Sequence, residues 1–183
     1  MSSPLRQDKL LTVEEFEELS FEGKVELIDG VVVRSEEMPG AKHGRTALRV
    51  GRVLDEWAEA VAVGWAFVET GFVLGRDPDQ VRIPDVSFVR REKLAELPDG
   101  NLPVVPDLAV EVLSPTDRVG DLEERLEDYR RFGVPLVWVV NPRTRTVIAH
   151  ASSGLARLFQ RDDLVDGGEV LPGFSCPLSR LFE

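Results

Sequence analysis

Leu136 to Val140 is an unbroken apolar run, preceded by Gly133 and Pro135 and followed by the turn Asn141-Pro142. A strand without a polar face must be covered on both sides, so it belongs at the centre of a sheet flanked by other elements. Leu108 to Leu113 is a second run of this kind, interrupted by one charge, Glu111. Between them, Asp121 to Phe132 has helical spacing: Leu122, Leu126 and Tyr129 make an apolar stripe, Phe132 extends its edge, and Gly133 and Pro135 stop it.

The remaining segments are consistent with this frame. Thr12-Val13-Glu14-Glu15 is a capping box that opens a short helix. Val25 to Ile28, Asp29-Gly30 and Val31 to Arg34 read as a tight hairpin. Ala41 to Ala62 is the longest helical pattern, with Ala47, Val50, Leu54, Trp57, Ala58 and Val61 on one face. Strands are expected at Trp65 to Glu69, Phe72 to Leu74, Val81 to Val89, Thr146 to Ala151 and Leu155 to Phe159. The tail from Leu171 to Phe182 reads as a turn and a short closing helix. The order predicts an α/β fold: one domain over residues 1–183, built on a mixed central sheet flanked by helices, with residues 1–10 as a flexible extension.

Composition narrows the function. The lone Cys176 forms no intrachain disulfide, and no Cys/His cluster suggests structural zinc. No leader-like or membrane-length apolar stretch is visible, which predicts a soluble cytoplasmic protein without a membrane partner. The net charge of −11 counts against a protein that coats nucleic acid nonspecifically. It does not exclude a polyanionic partner outright, because a local basic face can coexist with an acidic whole.

Two acids stand where apolar strands are expected. Asp85 follows Pro84 inside Ile83-Pro84-Asp85-Val86, and a proline interrupts strand pairing. Glu111 lies between Val110 and Val112. Buried carboxylates on neighbouring strands repel unless a cation or a shared proton offsets them. A hard divalent ion, Mg²⁺ or Mn²⁺, is the simplest solution; solvent exposure or pairing with an arginine is the alternative. Arg125 falls within the apolar stripe of its helix, so it either reaches toward the acidic site or snorkels to water. Glu26 in the hairpin and His43 at the start of the long helix could complete a metal or water site.

The chain resembles the Uma-type restriction endonucleases of the PD-(D/E)XK nuclease superfamily. The resemblance runs from about Leu11 to the C-terminus. It is carried by Val25-Glu26-Leu27-Ile28-Asp29-Gly30, Arg82 to Val89 around Pro84-Asp85, and Pro106 to Pro115 around Glu111. Tyr129 with Gly133-Val134-Pro135, Val137 to Pro142 and Leu171-Pro172-Gly173-Phe174 complete it. The resemblance implies a restriction-endonuclease-like fold and metal-dependent hydrolysis of phosphodiester bonds, most naturally in DNA. It places Asp85 and Glu111 in the acidic motif positions, with the Val112 carbonyl as a third metal ligand. The usual lysine two residues after the second acid is Leu113 here. The family carries that lysine on the following helix, and Arg125 occupies its place.

The expected catalytic set is therefore Asp85, Glu111, Arg125 and Glu26, with Asp85, Glu111 and Val112 around Mg²⁺ or Mn²⁺. Two-strand cleavage calls for two sites and hence a homodimer, with the hairpin near Thr144 as a contact surface. A competing expectation is a catalytically impaired module that binds nucleic acid or a protein partner. A metal-free carboxylate-pair hydrolase of glycosidase type ranks last.

Overall fold

The structure is a computed structural model and describes residues 2–4, 9–35, 40–94 and 96–183. Strand β1 (Ser2–Pro4) precedes helix α1 (Val13–Glu17), and the hairpin β2 (Val25–Ile28) and β3 (Val31–Ser35) follows. The long helix α2 (Ala41–Val61) leads into β4 (Gly64–Val68), β5 (Phe72–Gly75), β6 (Gln80–Arg82) and β7 (Val86–Arg90). Next come β8 (Leu108–Val112), α3 (Val119–Arg131), β9 (Leu136–Asn141), β10 (Thr146–Ala151) and β11 (Ala156–Phe159). The hairpin β12 (Leu164–Gly167) and β13 (Leu171–Pro177) runs into a 3-10 turn, Leu178–Leu181. The stretch read as an N-terminal extension lies partly outside the described residues; within it, Ser2–Pro4 pair with β3.

The central sheet has the order β11-β10-β9-β8-β7-β4. β8 and β9 run parallel, joined through α3, and the other neighbours are antiparallel. β9 is apolar from Leu136 to Val140 because it is covered twice. Trp138 and Val140 face α2 and pack with Val50, Leu54 and Ala58, whereas Val137 faces the α3 side with Tyr129 and Val134. Each fully buried Val or Leu in these layers stabilises the fold by about 1.5–3 kcal/mol. Trp57 of α2 also meets Phe88 and Phe174, with ring centroids at 5.3 and 5.5 Å, which ties β13 to the same core.

A second sheet, β1-β3-β2-β6-β5, packs on α1 through Val13, Phe16, Val25, Leu27, Val32 and Val81. Its β2–β3 turn has φ of 49° at Asp29 and 77° at Gly30, the pair of positive angles that a type I′ hairpin requires. At Gly75 an added Cβ would lie 2.2 Å from the Phe132 ring, so this glycine lets the C-terminal end of α3 close onto the second sheet.

Two sequence expectations need correction. Val81 to Val89 is not one strand: β6 ends at Arg82 in the second sheet, and β7 begins at Val86 in the central one. Pro84 lies in the crossing between them, where it has no ladder bond to donate. The tail is also more extended than expected. Leu171–Pro177 pairs with Leu164–Gly167, and only Leu178–Leu181 turns helically. Leu171, Phe174, Cys176, Leu178 and Leu181 bury themselves in the α2 core, so tertiary packing decides the extended form.

Candidate active site

The crossing Ile83-Pro84-Asp85 places Asp85 where the two sheets meet. Its backbone N–H still donates to Val110 O (3.1 Å), but the ladder between β7 and β8 ends there. The Asp85 side chain takes over, and its Oδ2 accepts the Val112 N–H at 2.8 Å. Val112 thus meets Asp85 through its amide. Lys24, just ahead of β2, donates to Asp85 Oδ1 at 3.1 Å. His43, in the first turn of α2, brings Nε2 to 3.1 Å from Oδ2.

Alternation along β8 turns Val110 and Val112 toward α2 and Glu111, like Ala109, toward α3. There Tyr129 donates its hydroxyl to Glu111 Oε1 at 2.6 Å, and Arg125 Nη1 lies 3.8 Å from the same oxygen. The same Nη1 donates to Glu26 Oε1 at 3.1 Å. Glu26 Oε1 also accepts the Ile83 N–H (2.8 Å), and Oε2 accepts Arg82 Nη1 (2.9 Å). Arg82 in turn donates through Nε to Asp128 at 2.9 Å and makes a further short bond through Nη2. Gln80 completes this network by donating to Asp128 and accepting from the Asp29 N–H.

The fold therefore brings Glu26, Asp85, Glu111, Arg125 and His43 together from β2, the sheet crossing, β8, α3 and α2. Arg125 reaches Glu111, within the acidic site, and also contacts Glu26; the cation that meets Asp85 is Lys24. Sequence reasoning missed Lys24, Arg82, Asp128 and the hydroxyl of Tyr129. Lys24 had a usable signal: it stands two residues before Glu26, the spacing that returns a strand to the same face.

The electrostatics separate these acids. Burial works to raise the pKa of Glu26, but Arg125, Arg82, Lys24 and the Ile83 N–H override it and hold it at about 2. Burial opposes ionisation of Asp85 too, yet the His43 hydrogen bond, Lys24 and the Val112 N–H bring its pKa below the ordinary carboxylate value. For Glu111, burial leads and the Asp85 charge adds to it; Arg125, Lys24 and Tyr129 compensate only in part, so its pKa is raised. Burial alone would lower the pKa of Lys24, but the charges of Asp85, Glu111 and Glu26 raise it. Hydrogen bonding to Asp85 outweighs burial at His43 and raises its pKa. Burial and the Glu111 charge push the Tyr129 hydroxyl well above the ordinary range, so it remains a donor.

Asp85 and Glu111 offer hard oxygen donors of the kind that Mg²⁺ or Mn²⁺ takes, and Glu111 is short of positive charge. Among the described residues, no group of three or more His, Cys, Asp or Glu could hold a metal. A two-carboxylate donor set still fits, because Mg²⁺ commonly keeps several waters and binds one or two carboxylates. No helix among the described residues is long and apolar enough to cross a membrane.

Residues 13–179 match the Uma2 family, described as "Putative restriction endonuclease", and the chain belongs to this family. No curated protein matches. Among solved structures, a crystal structure titled as a putative nuclease belonging to DUF820 from Anabaena variabilis ATCC 29413 is similar, with a TM-score of 0.79 and 21% identity. The match covers 94% of this chain and 97% of that one. The fold is restriction-endonuclease-like.

Proposed function

We propose that the protein is a metal-dependent endonuclease that hydrolyses phosphodiester bonds in DNA, with Asp85 and Glu111 holding Mg²⁺ or Mn²⁺. The observation that carries this reading is that Asp85 and Glu111 share one electrostatic neighbourhood, each interacting with the charge of Lys24, with Lys24 bonded to Asp85 and Arg125 near Glu111, within a fold of the restriction endonuclease family. When bound, a divalent ion supplies Lewis-acid charge at the scissile phosphate and makes water easier to deprotonate. The Val112 carbonyl belongs to the same strand end and is assigned as a backbone ligand.

The chain's own groups divide the remaining work. His43 and the Val112 N–H orient the Asp85 carboxylate. Tyr129 orients Glu111. Lys24, on a flexible stem beside Asp85, can turn its ammonium toward a phosphate oxygen and offset charge that develops there. Arg125 stays protonated and adds fixed positive charge. Glu26 acts as a positioning residue, because Arg82, Arg125 and the Ile83 N–H engage its oxygens. Cleavage of both strands calls for a homodimer; the β9–β10 hairpin near Thr144 and the sheet edge beyond it, strand β11 with Leu158 exposed and Leu155 exposed just before it, are the surface we assign to it.

One observation favours a second reading. Lys24, His43, Tyr129 and Arg125 engage Asp85 and Glu111 and so compete with a metal for their oxygens, as expected of a nuclease-fold module that binds without cutting. Plasmid cleavage with Mg²⁺ or Mn²⁺ distinguishes the two. The enzyme reading expects nicking by the natural protein and a loss on the order of 10²–10³-fold in Asp85→Asn. No cleavage with either ion, together with retained DNA binding, selects the module.

A further inference from the structure

In a chain of net charge −11, the segment Ala41 to Leu54 contains no Asp or Glu. It contains Lys42, Arg45, Arg49 and Arg52, at intervals of three, four and three residues. At 3.6 residues per turn these side chains fall within an arc of about 80° and rise about 15 Å along α2. The adjoining face is buried through Thr46, Ala47, Val50, Val53 and Leu54. Lys42, Arg45 and Arg52 are exposed and Arg49 is half-buried. Arg52 is tied to Glu56 at 2.6 Å, whereas Lys42, Arg45 and Arg49 have no acidic partner among the described residues.

This arrangement works against the helix. Cations three and four residues apart repel one another. Lys42 and Arg45 also face the positive end of the helix dipole, and Gly40 supplies no side-chain cap. A solvated helix face ordinarily interleaves acids, as Glu127 does with Arg130 on α3. The ridge also starts at the candidate site: His43, next to Lys42, touches Asp85.

We propose that Lys42, Arg45 and Arg49 form a docking ridge for the sugar-phosphate backbone of duplex DNA, leading one strand toward Asp85. The choice of DNA as the polyanion rests on the nuclease reading; the ridge itself rests on its charge and its place. Contacts of this kind position a duplex without reading its sequence.

The test measures binding of the full chain to a fluorescent DNA duplex by anisotropy, in chelator, across a salt series. Each neutralised phosphate contributes a slope of about −0.9 to log K against log salt. The triple variant Lys42→Gln, Arg45→Gln, Arg49→Gln should flatten the slope by about 2–3 and weaken binding at low salt by roughly 10-fold or more. Arg143→Gln with Arg161→Gln, two exposed changes off α2, should leave the slope alone. The charge-preserving Lys42→Arg, Arg45→Lys, Arg49→Lys should keep it too. Because the triple Gln variant relieves repulsion, its melting temperature should hold or rise, which separates lost contacts from lost folding.

An unchanged slope in a folded triple Gln variant overturns the ridge while leaving the nuclease reading intact. Failure of the natural protein to bind the duplex, or ridge-dependent binding only to RNA or to vesicles containing phosphatidylserine, also overturns it. Ridge-dependent DNA binding without plasmid cleavage upholds the ridge and defeats the nuclease reading.

Discussion

The second sheet and the central sheet each contribute buried acids to one cluster, and the two sides are compensated differently. On the second-sheet side, both oxygens of Glu26 accept from arginines, Ile83 adds a backbone N–H, and the pKa stays near 2. On the central-sheet side, Asp85 and Glu111 push in opposite directions, one lowered and the other raised. The first arrangement resists change in protonation. The second contains a carboxyl with too little positive charge around it, the condition under which a proton or a cation is taken up. Network closure thus separates an acid that braces the fold from acids that can take part in chemistry.

The comparison is easiest to break at Glu26. Removing one partner of a buried ion pair strands the other charges. Glu26→Gln should cost about 3–5 kcal/mol, because Arg82 and Arg125 would lose their shared acceptor. Urea unfolding measures this. A loss under about 1 kcal/mol would show that the second-sheet side is no more braced than the central one.

Acid titration gives the next largest effect. The pKa of Glu26 is depressed in the fold, so its contribution is present in full above about pH 4.5 and is lost as pH falls toward about 2. The shift corresponds to about 3 kcal/mol. The raised pKa of Glu111 acts with the opposite sign, since the folded protein takes up that proton more readily than the unfolded chain. The natural protein should therefore lose stability through this window, and Glu26→Gln should show a shallower dependence. Parallel stability–pH curves for the two proteins would count against the assignment.

How much of this was legible in the sequence depends on distance along the chain. The Asp29-Gly30 hairpin follows from turn chemistry, and the limits of α2 follow from its periodicity, because both signals are local. Glu111 stood out as the one charge in an apolar strand. Pro84 marked a break in pairing, but no local pattern says that the strand before it joins one sheet and the strand after it another. The β12–β13 hairpin was lost for a similar reason, since Phe174 and Cys176 gain their burial from α2 more than a hundred residues away. Lys24 lies in a polar stretch, Glu22-Gly23-Lys24, that resembles ordinary surface, and only its two-residue spacing from Glu26 sets it apart until β2 docks beside the crossing. Residue identity reveals candidate acids; only the tertiary fold reveals which cations balance them.

Glu111→Gln sharpens the contrast with Glu26. Glutamine keeps an oxygen for the Tyr129 hydroxyl and removes a charge that is poorly compensated. Stability should stay within about 1 kcal/mol of the natural protein, although the enzyme reading expects cleavage to fall on the order of 10²-fold. Thermal melts and plasmid nicking on one preparation give both answers. A destabilisation as large as that of Glu26→Gln would erase the distinction between the two sides.

Arg125→Lys should have the smallest effect, and its smallness is informative. Arg125 reaches Glu26 and Glu111 through one nitrogen, Nη1, at 3.1 and 3.8 Å. Among the described residues it makes no two-pronged contact that would depend on the guanidinium fork, so a compact ammonium can stand between the same two acids. Arg and Lys have similar helix propensities, and α3 should tolerate the exchange. The expected stability change is about 0.5 kcal/mol. The expected effect on cleavage is also modest, within about 5-fold, because Lys24 already places an ammonium against Asp85. Lys24→Met should then cost far more activity than Arg125→Lys. A large gain of cleavage on Arg125→Lys would reverse this assignment: the helix position, not the residue preceding β2, would be where the site needs its lysine.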